Sequence, residues 1–159
     1  MSLDQWLLAL HVLAAFAVVG AIAFFAVTII AGFGTDRPSA VLELTRIAKL
    51  PNLMVIAGMT MTLVFGIWLA ISLDAYHPWD GWIVAALVLW AVAGGTGARG
   101  GMAYQRAEKR AHELASAGSD EPSAELASLM RDRTSLILNA ISTVATLLIL
   151  LDMIWKPGA

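Results

Sequence analysis

The chain alternates between long apolar runs and connecting segments that hold most of its charge. The apolar runs cover residues 6–33, 50–73, 82–98 and 136–155. The hydrocarbon core of a bilayer is about 30 Å thick, so a spanning helix needs about 20 predominantly apolar residues. Backbone polar groups in lipid must be paired within the chain, and runs of this length satisfy that condition as helices. The pattern therefore predicts an all-α fold, an integral membrane four-helix bundle that forms a single domain over residues 1–159.

Composition supports a membrane location and excludes several chemistries. Of the 159 residues, 59% are hydrophobic and 14% are charged, and the mean hydropathy is +0.77. Soluble domains carry about 25% charged residues. The absence of cysteine excludes disulfides, thiolate catalysis and cysteine metal sites. A net charge of −2 offers no basic face for nucleic acid, so the lipid bilayer is the expected partner.

Positive charge is distributed unevenly between the connecting segments. Segments 34–49 and 99–135 together carry nine Lys and Arg residues, whereas the N-terminal tail, the loop 74–81 and the C-terminal tail carry only Lys156. Positive residues stay in the cytoplasm, so both termini are expected on the outer side of a bacterial inner membrane. Trp side chains favour membrane interfaces, and four of them would fall at this outer boundary: Trp6, Trp79, Trp82 and Trp155.

The first apolar run is expected to be a retained helix rather than a cleaved signal peptide. No Lys or Arg precedes it, whereas Asp4 does. The run is also longer than the apolar region of a signal peptide, which has about 7–15 residues.

Segment 99–135 is predicted to form a helical hairpin that extends the third and fourth helices into the cytoplasm. Small and apolar residues recur at helical spacing on one face of its first half: Ala103, Ala107, Ala111 and Leu114. The motif GSDEPS predicts the turn, because Gly118 suits the end of a helix. Asp120 or Glu121 is then expected to cap the next helix, with Pro122 at its first position.

Three stripes of small or weakly polar residues predict where helices approach closely. In lipid there is little hydrophobic drive between helices, so small residues and interhelical hydrogen bonds, worth about 0.6–2 kcal/mol each, matter most. The second span has Gly58, Thr62, Gly66 and Ala70; the third has Gly94, Gly97 and Gly101; the fourth has Asn139, Ser142, Thr143 and Thr146. Either all three stripes are seams within one bundle, or one of them is an interface with another membrane subunit or a second copy.

His11 is the main candidate for a cofactor site. It lies one to two helical turns after Trp6, about 7–8 Å inside the outer boundary, and an ionisable residue within a span is a functional candidate by default. As an axial ligand it would hold a b-type haem, with Ala14 and Ala15 leaving room for the porphyrin. In the other interpretation, which composition alone favours, it is hydrogen-bonded to a Ser, a Thr or a carbonyl of a neighbouring helix.

Asp152 and Lys156 form a second polar group near the outer end of the fourth helix. Lys156 follows Asp152 at four residues, in the better orientation for an ion pair, so the two are predicted to pair at the membrane interface. A contact between Asp152 and His11 is the alternative. No charge occupies the middle of a span, and the sequence has no phosphate-binding glycine loop, metalloprotease motif or nucleophile–base pair. The sequence therefore predicts no catalytic residue and no metal site.

Two sequence stretches carry a resemblance to known membrane proteins. LHVLAAFAVVGAIAF and LPNLMVIAGMTMTLVFGIWLA, followed by a third helix led by a Trp, resemble a bacterial family of predicted integral membrane proteins whose domain has no assigned function. The first helix is also distantly similar to copper-resistance D proteins and HemJ-type membrane oxidases. That similarity places the first-helix histidine on His11 and a glycine on Gly20, and it implies haem at His11. The tryptophan and the second glycine of the copper-resistance D and HemJ-type pattern fall on Val18 and Ala21, so the chain departs from that pattern at both positions.

The sequence favours a non-catalytic role, as a structural or accessory component of a membrane assembly. A b-haem redox or haem-handling protein that uses His11 is the alternative. A transporter of a small molecule or metal is a weaker alternative, since no polar pathway is evident in the spans.

Overall fold

The computed structural model describes residues 2–72, 77 and 79–156, and its helices account for most of them. They are α1 (Leu3–Gly32), α2 (Pro38–Ser72), α3 (Gly81–Gly100), α4 (Met102–Ser116), α5 (Ala124–Met130) and α6 (Arg133–Trp155). In this described part of the chain, four helical units are long and apolar enough to cross a membrane: α1, α2, α3 with α4, and α5 with α6. The predicted all-α fold with four apolar helices is therefore confirmed. Residue 73, the last of the predicted second run, lies outside the described residues.

Local sequence explains where the helices begin and break. Ser2 and Gln5 form a reciprocal capping box at the start of α1. The segment 38–49, expected as a connection, is the first part of α2. Pro38 suits a first helical position, and no Pro or Gly interrupts residues 39–49. Gly101 separates α3 from α4, because the adjacent Gly100 and Gly101 both have weak helix propensity.

The turn after α4 differs from the sequence expectation. Gly118 has a φ of +76°, which favours glycine, and it ends α4 as predicted. The predicted cap and first position of the next helix are wrong, because α5 begins at Ala124 and the Ser123 hydroxyl accepts the N–H of Leu126. Asp120 is instead bonded to Ser39 at the start of α2. Its carboxylate therefore has partners elsewhere, and Ser123, in extended backbone, takes the capping position.

The membrane helices pack as two antiparallel pairs, α1 with α2 and α3 with α6. Contacts between the pairs include the indole N–H of Trp90, which donates to the carbonyl of Met59 at 3.2 Å. Large apolar side chains of the four helices point outward, as expected for surfaces that face lipid; Phe16 is 70% exposed.

The best-buried core lies at one end of the helices. There α4 and α5 pack against each other, α4 packs against α2, and the segment 33–37 leads into α2. We call this part the α4–α5 module. Its buried residues are Val41, Ala107, Ala111, Leu126 and Met130, the first four being fully buried. The module corresponds to the predicted hairpin; its location in the cytoplasm, like the outer location of the termini, stays a prediction.

Candidate functional site

His11 lies in the contact between α1 and α2. Its Nδ1 is 2.9 Å from the carbonyl oxygen of Thr62. A carbonyl can only accept, so Nδ1 carries the proton and donates it. The ring packs against Gly66, where an added Cβ would lie 2.8 Å from the His11 Cε1 and 3.0 Å from Nδ1. The absence of a side chain at Gly66 therefore opens the Thr62 carbonyl to the histidine.

The hydrogen bond at Nδ1 fixes the tautomer of His11. Nε2 then carries a lone pair, and within the described part of the chain it forms no hydrogen bond. Such an arrangement is typical of histidines that bind metals through Nε2. However, no group of three or more His, Asp or Glu side chains that could hold a metal ion occurs among the described residues.

On the side of α1 that faces α2 there is no space for a porphyrin beside His11. Ala14 is buried, and an added Cβ at Gly58 would lie 3.1 Å from the Ala14 carbonyl oxygen and 2.7 Å from Cγ2 of Val18. The two helix backbones therefore approach closely one turn from the histidine. The residues of the α1–α2 contact do not fit a haem held between these helices.

The α2 stripe continues toward the other end of the helix pair. Thr62 contributes its carbonyl to His11, whereas its buried hydroxyl has no hydrogen-bond partner among the described residues. Ala70 is half-buried, and the hydroxyl of Ser72 donates to the carboxylate of Asp4.

The stripe of α6 lies against α3. The Ser142 hydroxyl donates to the carbonyl of Ala93 at 2.8 Å, and the Asn139 amide donates to the carbonyls of Gly100 at 3.4 Å and Ser135 at 2.9 Å. Added Cβ atoms at Gly97 and Gly100 would lie 2.9 Å from Ser142 and Asn139, respectively. Interhelical bonds thus form where glycine allows close approach.

The other predicted members of the α3 and α6 stripes have different neighbours. Thr143 and Thr146 donate to carbonyls of their own helix. An added Cβ at Gly94 would lie 3.8 Å from Cε of Met59 on α2. Gly101 stands at the break between α3 and α4, where an added Cβ would lie near carbonyls of its own turn. The glycine stripe of α3 is therefore divided between two neighbouring helices, and Gly100 rather than Gly101 is opposite Asn139.

The polar group near the end of α6 lies beside the start of α3. The Lys156 ammonium is 5.3 Å from the ring centroid of Trp82, within the range of a cation–π interaction. Within the residues that the structure describes, Oδ2 of Asp152 is buried with no hydrogen-bond partner, so this oxygen is not hydrogen-bonded to His11. An ion pair between Asp152 and Lys156 stays a prediction.

The sequence did not indicate the contacts that join the α4–α5 module to the first helix pair. Arg131 donates through Nε to the carbonyl of Phe33 at 2.7 Å, and the Ser123 N–H donates to the carbonyl of Asp36 at 2.9 Å. Lys49 on α2 forms an ion pair with Glu108 on α4 at 2.9 Å. Residues far apart in sequence thus meet at both ends of the loop between α1 and α2.

Asp120 is the most distinctive of these joining residues. Its Oδ1 accepts the Ser39 N–H and its Oδ2 accepts the Ser39 hydroxyl, each at 2.9 Å. The backbone hydrogen bond first, and then the hydroxyl, lower the pKa of the Asp120 carboxyl. The Ser39 N–H is one of the groups that a helix cannot satisfy in its first turn, so Asp120 caps α2 from the opposite loop.

Four long apolar helices with polar side chains bonded across their contacts define an integral membrane protein. A family model described as "Predicted integral membrane protein (DUF2269)" matches residues 5–157, and the chain therefore belongs to this family. The resemblance to a family of predicted integral membrane proteins is confirmed. No curated protein and no solved structure matches the chain, and the similarity to copper-resistance D and HemJ-type proteins is not shown.

Proposed function

We propose that this protein is a non-catalytic structural or accessory component of a membrane assembly. The observation that carries this proposal is where the polar side chains inside the membrane helices point. His11 and Ser142 donate to backbone carbonyls of the neighbouring helix. These hydrogen bonds between helices give both side chains a structural role that requires no substrate.

The α4–α5 module supports a scaffold role. In lipid, helix pairs gain little from hydrophobic association, whereas a buried core in water is stabilised by the hydrophobic effect. The module contacts both helix pairs, because α4 follows α3 directly, α6 follows α5, and α4 packs on α2. A water-facing core would therefore fix the relative positions of two helix pairs that touch little within the membrane.

The proposed location is the bacterial inner membrane, with both termini on the outer side and the module in the cytoplasm. The uneven distribution of Lys and Arg supports this orientation. A protein without native cysteine allows a direct test. In intact cells, a membrane-impermeant maleimide should label Ser2→Cys but label Ser119→Cys only after lysis. Labelling of Ser119→Cys in intact cells would contradict the orientation.

The accessory role predicts a stable assembly larger than one 16.9 kDa chain. The full chain would be extracted in a polymer nanodisc, its protein mass measured by light scattering, and its neighbours identified by crosslinking in cells. A second copy or a fixed set of other membrane chains at constant stoichiometry is expected. A single chain in every preparation would contradict the assembly role.

The alternative, a b-haem protein that uses His11, draws on the Nε2 lone pair. Its test is the absorption spectrum of wild type, His11→Asn and His112→Asn, oxidised and dithionite-reduced. Asn keeps a donor for the Thr62 carbonyl but cannot bind haem iron, and His112 is an exposed matched control. A Soret band lost only in His11→Asn would replace the structural proposal. A colourless wild type from haem-sufficient cells, with His11→Asn still folded, is the result expected here.

A further inference from the structure

A groove of about 720 Å³ runs along the outside of the α1–α2 pair. Its apolar lining includes Phe24, Leu50 and Met54, with Leu50 66% exposed. An added Cβ at Gly20 would meet nothing within 4 Å, so the groove is open there. Pockets for small ligands have volumes of about 300–1,000 Å³. The groove is therefore large enough for the upper part of a lipid acyl chain and its glycerol.

One end of the groove is charged. Glu43 and Arg46 line it there, and both are exposed. In the described part of the chain neither side chain takes part in a hydrogen bond or ion pair, whereas the nearby Lys49 pairs with Glu108. The rim thus offers one free positive and one free negative group, one helical turn apart.

The two charges lie at different depths. At 1.5 Å per residue, Arg46 lies about 6 Å and Glu43 about 10 Å before the apolar run that starts at Leu50. The headgroup layer on each side of a bilayer is about 5–8 Å thick. Arg46 would therefore lie within this layer and Glu43 at its outer edge.

We infer that the groove binds a zwitterionic phospholipid with a primary ammonium, of the phosphatidylethanolamine type. The phosphate of such a lipid lies next to the glycerol, and its ammonium lies farther from the hydrocarbon. Arg46 pairs with the phosphate, which suits a guanidinium fork, and Glu43 accepts from the ammonium. The order of charges along α2 matches the order in the headgroup. Phosphatidylglycerol has the same phosphate but no ammonium, so it would leave Glu43 without a partner and close to a net negative charge.

The test is native mass spectrometry of the full, delipidated chain titrated with phosphatidylethanolamine or phosphatidylglycerol of identical acyl chains. Wild type should retain the ethanolamine lipid about tenfold better, and Arg46→Gln should lower that retention by about tenfold. Glu43→Gln should abolish the preference between the two lipids. Gly20→Leu should fill the groove and lower the retention of both.

Matched variants separate the groove from general effects. Arg133→Gln removes an exposed arginine at the start of α6, and Gly95→Leu adds a side chain where a Cβ also meets nothing within 4 Å. Both should retain lipid as wild type does. A wild type that prefers phosphatidylglycerol, or Arg46→Gln and Gly20→Leu variants that bind as wild type does, would overturn the inference. Thermal unfolding of each variant would establish that it is folded.

Discussion

Replacing Leu126 by Ala should separate the contribution of the α4–α5 module from that of the membrane helices. Leu126 is fully buried and packs with Val41, Ala107, Ala111 and Met130. Leu→Ala substitutions in cores cost about 2–5 kcal/mol, more when the cavity cannot collapse. Two of the neighbours are alanines, whose methyl groups cannot move to fill the space. We therefore expect a loss of about 3–5 kcal/mol in the free energy of unfolding.

The matched control is Leu147→Ala on α6. Leu147 is 51% exposed on a span that faces lipid, and lipid tails are as apolar as leucine, so its loss should change the free energy of unfolding by less than about 1 kcal/mol. The assay is equilibrium unfolding in bicelles, followed by circular dichroism, with protease cleavage within residues 119–123 as a local readout. Equal destabilisation by both variants would refute the idea that the module carries more of the stability than the lipid-facing helix surfaces.

Three further predictions concern helix contacts and pH. Gly58→Ala should lower the free energy of unfolding by about 1–3 kcal/mol, because its Cβ would overlap α1; unfolding in bicelles measures this. Ser142→Ala should lower it by about 0.6–2 kcal/mol in the same assay, through loss of the bond to Ala93. The lowered pKa of Asp120 means that its stabilising effect is present above the ordinary Asp pKa and is lost as the pH falls through the lowered value. Protease cleavage within residues 119–123 should therefore rise at acidic pH.

Each prediction has a control variant in which the proposed physical cause of the effect is absent. Gly20→Ala should not destabilise, because a Cβ there meets nothing within 4 Å, and equal losses at Gly58 and Gly20 would contradict the close-packing argument. Thr143 bonds its own helix, so Thr143→Ala should cost less than Ser142→Ala. Asp120→Asn should show fast cleavage already at neutral pH and little further change with acid; an unchanged acid response would exclude Asp120 as its source.

The stripe on the second span shows how far sequence reasoning reaches. Spacing and residue size indicated that Gly58 and Gly66 mark a close approach, because both properties are local. Which helix approaches could not be predicted, since small residues permit contact with several neighbours. The structure places α1 against both glycines.

His11 and Asp120 show the same limit for polar groups. The sequence made His11 a candidate, because a lone imidazole in an apolar run needs a partner. Its acceptor is the backbone carbonyl of Thr62, and since every residue has a carbonyl, no side-chain pattern could indicate this one. Asp120 was expected to cap the helix that follows it, which is the nearest one in sequence. In the structure Asp120 is bonded to Ser39 instead, because the loop after α4 lies beside the start of α2.

The sequence by itself determined the class of protein, the number of apolar helices and the end of α4 at Gly118. Those features depend on hydropathy, helical period and local backbone preferences, which act over a few neighbouring residues. Only the tertiary structure decided that α1 pairs with α2, that α3 pairs with α6, and that a buried core lies where α4 and α5 meet α2. Pairing depends on which surfaces fit when brought together, and that is a property of two distant segments at once.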